Sequence, residues 1–93
     1  MNDFVTSIAA DFSENAFPQL GVHEPIDAYI DPIVNIFGES PTQDEAIAVY
    51  KHRISDLTAE LSEWMEMDLE EDFVRQWTYV ALVNYFGEII DEP

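Results

Sequence analysis

The sequence predicts an all-α protein: a compact bundle of about four helices of unequal length, with a long third helix and an apolar fourth. Three observations carry this. Apolar residues recur at three- and four-residue intervals in four segments, the period of one helix face. Proline and glycine fall between those segments, at Pro18, Gly21, Pro25, Gly38, Pro41 and Gly87, with Pro32 the exception. Two of the segments open on residues that cap helices. The 93 residues make one acidic helical domain, 1–93, without an internal repeat. Hydrophobic residues make up 47% of the chain and aromatic ones 13%, enough to build a core despite the high charge.

The first predicted helix runs from about Asp3 to Ala16. Phe4, Val5, Ile8 and Phe12 form one apolar stripe. Asn2 or Asp3 caps its start, and Pro18 stops it. Gln19 to Glu24 is a turn, with Gly21 free to take positive φ. The second helix runs from Pro25 to Phe37, with Pro25 at the first helical position, where no N–H is needed. Ile26, Ile30, Ile33 and Phe37 keep a 4-3-4 rhythm. Pro32 interrupts the hydrogen-bond ladder, so either the helix kinks there or Asp31 caps a fresh short helix. Both alternatives bury the same stripe, and Gly38 ends it.

The third helix opens on Ser40-Pro41-Thr42-Gln43, a capping box with proline at the first helical position. Ile47, Tyr50, Ile54, Leu57, Leu61 and Trp64 follow at 3-4-3-4-3 spacing. One seam held to about Met65 predicts a helix of about 25 residues, or roughly 37 Å. The fourth helix opens on Asp68-Leu69-Glu70-Glu71, a capping box in its Asp form. From Phe73 to Phe86 it is apolar on nearly every side. Val, Trp, Tyr and Thr also favour strands, but this run is long for a strand and contains no turn signal before Gly87. A helix apolar all round belongs at the centre of a bundle, and its surplus apolar surface fits a homodimer. Glu88 to Pro93 is a short acidic tail, docked by Ile89 and Ile90.

Charge sets the functional argument. Asp and Glu number 20 against 3 Lys and Arg, a formal net charge of −17. Nucleic acid and anionic lipid surfaces would repel such a chain. There is no cysteine, hence no disulfide frame, thiolate nucleophile or Cys-ligated zinc. No apolar run is long enough to span a membrane, and no basic region precedes an apolar stretch at the N-terminus. The expectation is a cytoplasmic protein.

The residues do not assemble into an enzyme or a cofactor site. His23 falls in a turn, and His52 lies between Lys51 and Arg53 on the polar side of the third helix. Nothing in the sequence pairs either with a nucleophile or tunes it for proton transfer. Among 20 carboxylates any glycosidase-like pair can be drawn, so no pair is informative. Asp68-Leu69-Glu70-Glu71-Asp72 lacks the glycine and the ligand spacing of a calcium loop. No Glu-x-x-His pair suits a di-iron bundle, and no glycine-rich phosphate loop is present. No catalytic residue, metal ligand or cofactor is expected.

The acids are uneven. Between positions 56 and 72, eight of 17 residues are acidic: Asp56, Glu60, Glu63, Glu66, Asp68, Glu70, Glu71 and Asp72. Asp56, Glu60 and Glu63 step by four and three along one helix face, where like charges cost a few tenths of a kcal/mol per pair. Asp44 and Glu45 start the same predicted helix. A ridge of Asp44, Glu45, Asp56, Glu60, Glu63, Glu66, Glu70, Glu71 and Asp72 spaces its carboxylates about 5–6 Å apart. That is on the scale of the phosphates of one DNA strand, and a roughly 37 Å helix matches about one duplex turn.

The expected function is therefore a non-enzymatic inhibitor that occupies the groove of a basic nucleic-acid-binding protein. The second reading is a helical adaptor that binds through apolar side chains of the third and fourth helices, its charge serving only solubility. In size and charge alone, the chain resembles phage-encoded anti-restriction and anti-CRISPR inhibitors and bacteriocin immunity proteins. That likeness rests on no individual residue.

Overall fold

The structure, a computed structural model, describes residues 3–87. Those residues form five α-helices, the first two joined through a π turn and a 3₁₀ turn, and no strand occurs among them. The helices are α1 (Asp3–Asp11), α2 (Asp27–Phe37), α3 (Gln43–His52), α4 (Ile54–Met65) and α5 (Glu71–Phe86). The expected cap at Asn2 and the acidic tail with Ile89 and Ile90 lie outside the described residues.

The stripe of the first segment is buried as expected: Phe4, Val5, Ile8 and Phe12 all lie in the core. The helix does not run evenly to Ala16. A π turn spans Phe12–Ala16, closed by the Phe17 N–H on the Phe12 carbonyl. A 3₁₀ turn spans Phe17–Leu20. Pro18 has no N–H to continue an α-helical ladder, and Gly21 ends the segment at φ 80°.

α2 is a single helix with Pro32 inside it, which excludes a fresh start at Asp31. Turn bonds from Ala28 to Pro25 and from Tyr29 to Ile26 lead into it, so the helix proper begins at Asp27 rather than Pro25. Its buried line is Tyr29, Pro32, Ile33, Ile36 and Phe37; Ile26 and Ile30 are only partly covered. Tyr29 stacks on Phe17 with ring centroids 4.9 Å apart.

The third predicted helix is two helices. The ladder breaks at Arg53, whose backbone turns to φ −129° and ψ 22°. The Arg53 guanidinium donates to the Ile36 carbonyl at the end of α2 at 3.2 Å and to Asp56 at 3.1 Å. A contact 17 residues away in sequence leaves no trace in local spacing. The apolar seam crosses the break intact, with Tyr50, Ile54, Leu57 and Leu61 all buried. It ends there, because Trp64 is 48% exposed. The longest dimension of the molecule is 31 Å, shorter than the roughly 37 Å a straight helix to Met65 would need.

α3 and α5 start two residues later than their expected caps placed them, and only α3 has a capping box. At α3 the cap is Thr42: its Oγ1 accepts from the Glu45 N–H at 3.1 Å, and its own N–H donates to Glu45 Oε1 at 2.8 Å. At α5 the cap position is Glu70, whose side chain makes no cap bond. Leu69 is drawn into the core and its N–H donates to Ser62 Oγ, Glu70 is extended, and Asp68 does not start the helix.

α1, α3 and α4 each pack against both α2 and α5. The apolar last helix is thus central, as expected, but it shares that place with α2. Val74, Thr78, Ala81 and Leu82 form its fully buried line, and Trp77 is half-buried against the core.

Candidate interaction surface

The nine carboxylates of the expected ridge are all on the surface but not on one line. Asp44 and Glu45 start α3, which the break at Arg53 separates from α4. Glu45 is engaged in the Thr42 cap. Asp56 pairs with Arg53 at 3.1 Å. Arg75 pairs with Glu71 at 2.8 Å and with Asp72 at 3.1 Å. Glu60 accepts from Asn35 Nδ2 at 2.7 Å and from Trp64 Nε1 at 3.4 Å. These acids hold the local structure, although exposed pairs of this kind stabilise by only about 0–1 kcal/mol each.

A second group is left over. Glu63, Glu66, Asp68 and Glu70 are exposed and make no hydrogen bond or ion pair through their carboxylates among the described residues. They run from the last turn of α4 to the cap of α5, across a stretch from 54 to 74 that contains no Lys or Arg. Glu63 also sits at the negative end of the α4 dipole, where a carboxylate is disfavoured.

Glu66 has the more unusual backbone. It is the one non-glycine with positive φ among the described residues, at φ 54° and ψ 43°. Its N–H donates to the Glu63 carbonyl at 3.3 Å and the Met67 N–H to the Ser62 carbonyl at 3.1 Å. This pair of bonds closes a helix with one left-handed residue, most often glycine. The same motif closes the 3₁₀ turn at Gly21, with Gly21 bonded to Pro18 and Val22 to Phe17, both at 3.0 Å. A side chain in this conformation costs roughly 1–2 kcal/mol that glycine does not incur.

The two closing turns meet at a groove of about 580 Å³, lined by Gly21, Val22, Ala28, Trp64, Met65 and Glu66 together with His23, Glu24 and Asp27. A second groove of about 360 Å³ is lined by Leu20, Met67, Leu69 and Phe73 together with Asp68 and Glu70. Leu20 precedes Gly21 and Met67 follows Glu66, so the grooves adjoin. Burial pushes the Tyr29 phenol above its ordinary range, and the Glu24 carboxylate adds to the shift.

Two contributors to this surface, Glu24 and Asp27, escape the sequence reading, and a third, Trp64, falls in its apolar seam. Glu24 and Asp27 lie far from positions 56–72 in the chain and reach Glu66 only through the packing of α2 on α4. No local signal marks them. Trp64 had one: it follows Glu60 by four residues, at the border of the acidic face rather than inside the seam. His23 and His52 are both exposed, His23 in the first groove and His52 at the end of α3. Among the described residues, no group of three or more His, Asp or Glu side chains is placed to hold a metal ion, and no helix is long and apolar enough to cross a membrane. No family model, curated protein or solved structure matches the chain.

Proposed function

We propose that the chain is a non-enzymatic acidic inhibitor, acting in the cytoplasm, that blocks a basic nucleic-acid-binding protein by placing carboxylates where phosphates would sit. The observation that supports this is the exposed, unpaired group Glu63, Glu66, Asp68 and Glu70 on a cation-free stretch. This group runs from the last turn of α4 to the cap of α5, so the mimicry is of a local cluster of phosphates rather than of a whole duplex turn. Blockade is steric and electrostatic: the acidic surface steers encounter with a basic groove and then occupies it. Asp56, Glu60, Glu71 and Asp72 supply charge at long range while holding local structure.

The adaptor reading draws on apolar side chains of the third and fourth predicted helices, which are α3, α4 and α5 in the structure, and α5 exposes Tyr85. Leu57 and Leu61 are fully buried, which leaves Trp64 as the apolar side chain that α4 exposes most.

The test is capture from cells with the full chain as bait, followed by elution with duplex DNA. The expected result is a basic nucleic-acid-binding protein that DNA displaces and that about 0.5 M salt releases. Partners that ignore both DNA and salt would overturn the proposal.

A further inference from the structure

The two adjoining grooves are lined by apolar side chains, most of them partly buried or exposed, and by exposed carboxylates, with His23 in the first. Val22, Ala28 and Met65 line the first, Leu20, Met67 and Phe73 the second. Glu24, Asp27 and Glu66 stand around one, Asp68 and Glu70 around the other. None of these five carboxylates has a cationic partner among the described residues. Leu20 and Trp64, at 41% and 48% exposure, are the most exposed large apolar side chains among them. The Trp64 ring is held by its indole N–H on Glu60, which leaves the ring open at the groove.

We infer that these grooves receive a basic amphipathic segment of the partner, one that interleaves arginine with apolar side chains. Charge complementarity selects the basic class. The apolar lining then discriminates within it, because a polar cationic tail leaves the methionines and Leu20 uncovered. Methionine adapts to irregular apolar shapes, and an arginine guanidinium stacks well on a tryptophan face that carboxylates surround. This rests on the proposed function for the partner's basicity and adds the apolar requirement.

Glu66 supports the assignment independently of charge. The same closing turn is built twice at one groove, once with glycine and once with glutamate. The backbone favours glycine at both places. Keeping a strained carboxylate at 66 is understandable if the carboxylate is used, since strain of this kind collects at functional positions. Glu66→Gly therefore separates folding from binding.

The experiment titrates the full chain with two synthetic peptides of about twelve residues and equal arginine count, one with leucine and one with serine between the arginines. Affinity is read by calorimetry, and the site by the Trp64 indole NMR signal, assigned with Trp64→Phe. The leucine peptide should bind about tenfold or more tighter, the effect of burying roughly one leucine, and should shift the Trp64 signal but not that of Trp77. Glu66→Gly should melt at the same or a higher temperature yet bind that peptide several-fold more weakly. Equal binding of both peptides without a Trp64 shift would overturn the grooves and leave charge-led blockade standing. Binding of neither peptide at about 0.1 M salt would overturn both. A Glu66→Gly variant that binds like the parent would remove position 66 from the site.

Discussion

Asn35 and Glu60 are joined across the packing of α2 on α4, the amide Nδ2 donating to the carboxylate at 2.7 Å. The bond gives one acid of the ridge a structural task that its neighbour Glu63 lacks. Glu60→Ala should cost about 1 kcal/mol, a value reduced from that of a charged hydrogen bond for its exposed position. Glu63→Ala should be neutral or slightly stabilising, because it relieves repulsion at the end of α4. Urea denaturation of both variants, with Asn35→Ala completing a double-mutant cycle, measures the difference. If Glu60→Ala were as silent as Glu63→Ala, the bond would have no standing in solution.

The seam makes an equally sharp contrast between Leu61 and Trp64. Leu61 is fully buried, and its truncation to alanine should cost about 2–5 kcal/mol. Trp64→Ala should cost under about 1 kcal/mol, because half of the ring is already in water. Thermal melts decide it; comparable losses at both positions would place Trp64 in the core.

Tyr29 carries a pH dependence. Its ring is fully buried and its hydroxyl has no hydrogen-bond partner. Its folded pKa is raised above the ordinary 10.0, first by burial and then by Glu24. Below the unfolded value, the phenol is neutral in both states and its contribution is intact. As pH climbs past that value, the unfolded chain releases the proton first, so stability falls until the raised native value is passed. Tyr29→Phe should be as stable as the parent or more so near neutrality, because an unsatisfied hydroxyl is removed. It should also lose less stability at alkaline pH. Parallel alkaline losses in the two proteins would show the hydroxyl to be hydrated.

Salt should stabilise the free protein. With a net charge of −17 and both arginines already in local pairs, repulsion dominates the long-range electrostatics. About 0.5 M sodium chloride at pH 8 should raise the melting temperature by screening it. A temperature that stayed flat or fell would mean that the ion pairs outweigh the repulsion.

Helix identity was legible in the sequence because the apolar period survives the break at Arg53: Tyr50 before it and Ile54, Leu57 and Leu61 after it are all buried. The break itself was not, since it depends on the Ile36 carbonyl, which only the fold brings near. The caps show a subtler loss. Both Ser40 and Thr42 match a capping signal, and Thr42 wins by having Glu45 three residues on to answer its N–H. Asp68 lost its place to the burial of Leu69. At the surface, the sequence located the excess charge but could not separate carboxylates held by Arg53, Arg75 or Asn35 from those left unpaired. It also could not place Glu24 beside Glu66.

The π turn at Phe12–Ala16 carries a consequence for insertions and deletions. Phe12 and Phe17 are five residues apart, and on a regular α-helix their side chains would point about 140° away from each other. The wider turn takes up one residue more, so both rings reach the same core, 6.0 Å apart. Loss of a single residue such as Asn15 would leave Phe12 and Phe17 four apart on an ordinary helix, about 40° from each other and still on one face. Phe4, Val5 and Ile8 would then keep their place facing the interior. The chain's tolerance to length change at its first bend is therefore set by angular phase: a one-residue deletion there should be milder than a one-residue insertion, which would turn the upstream stripe by about 100°.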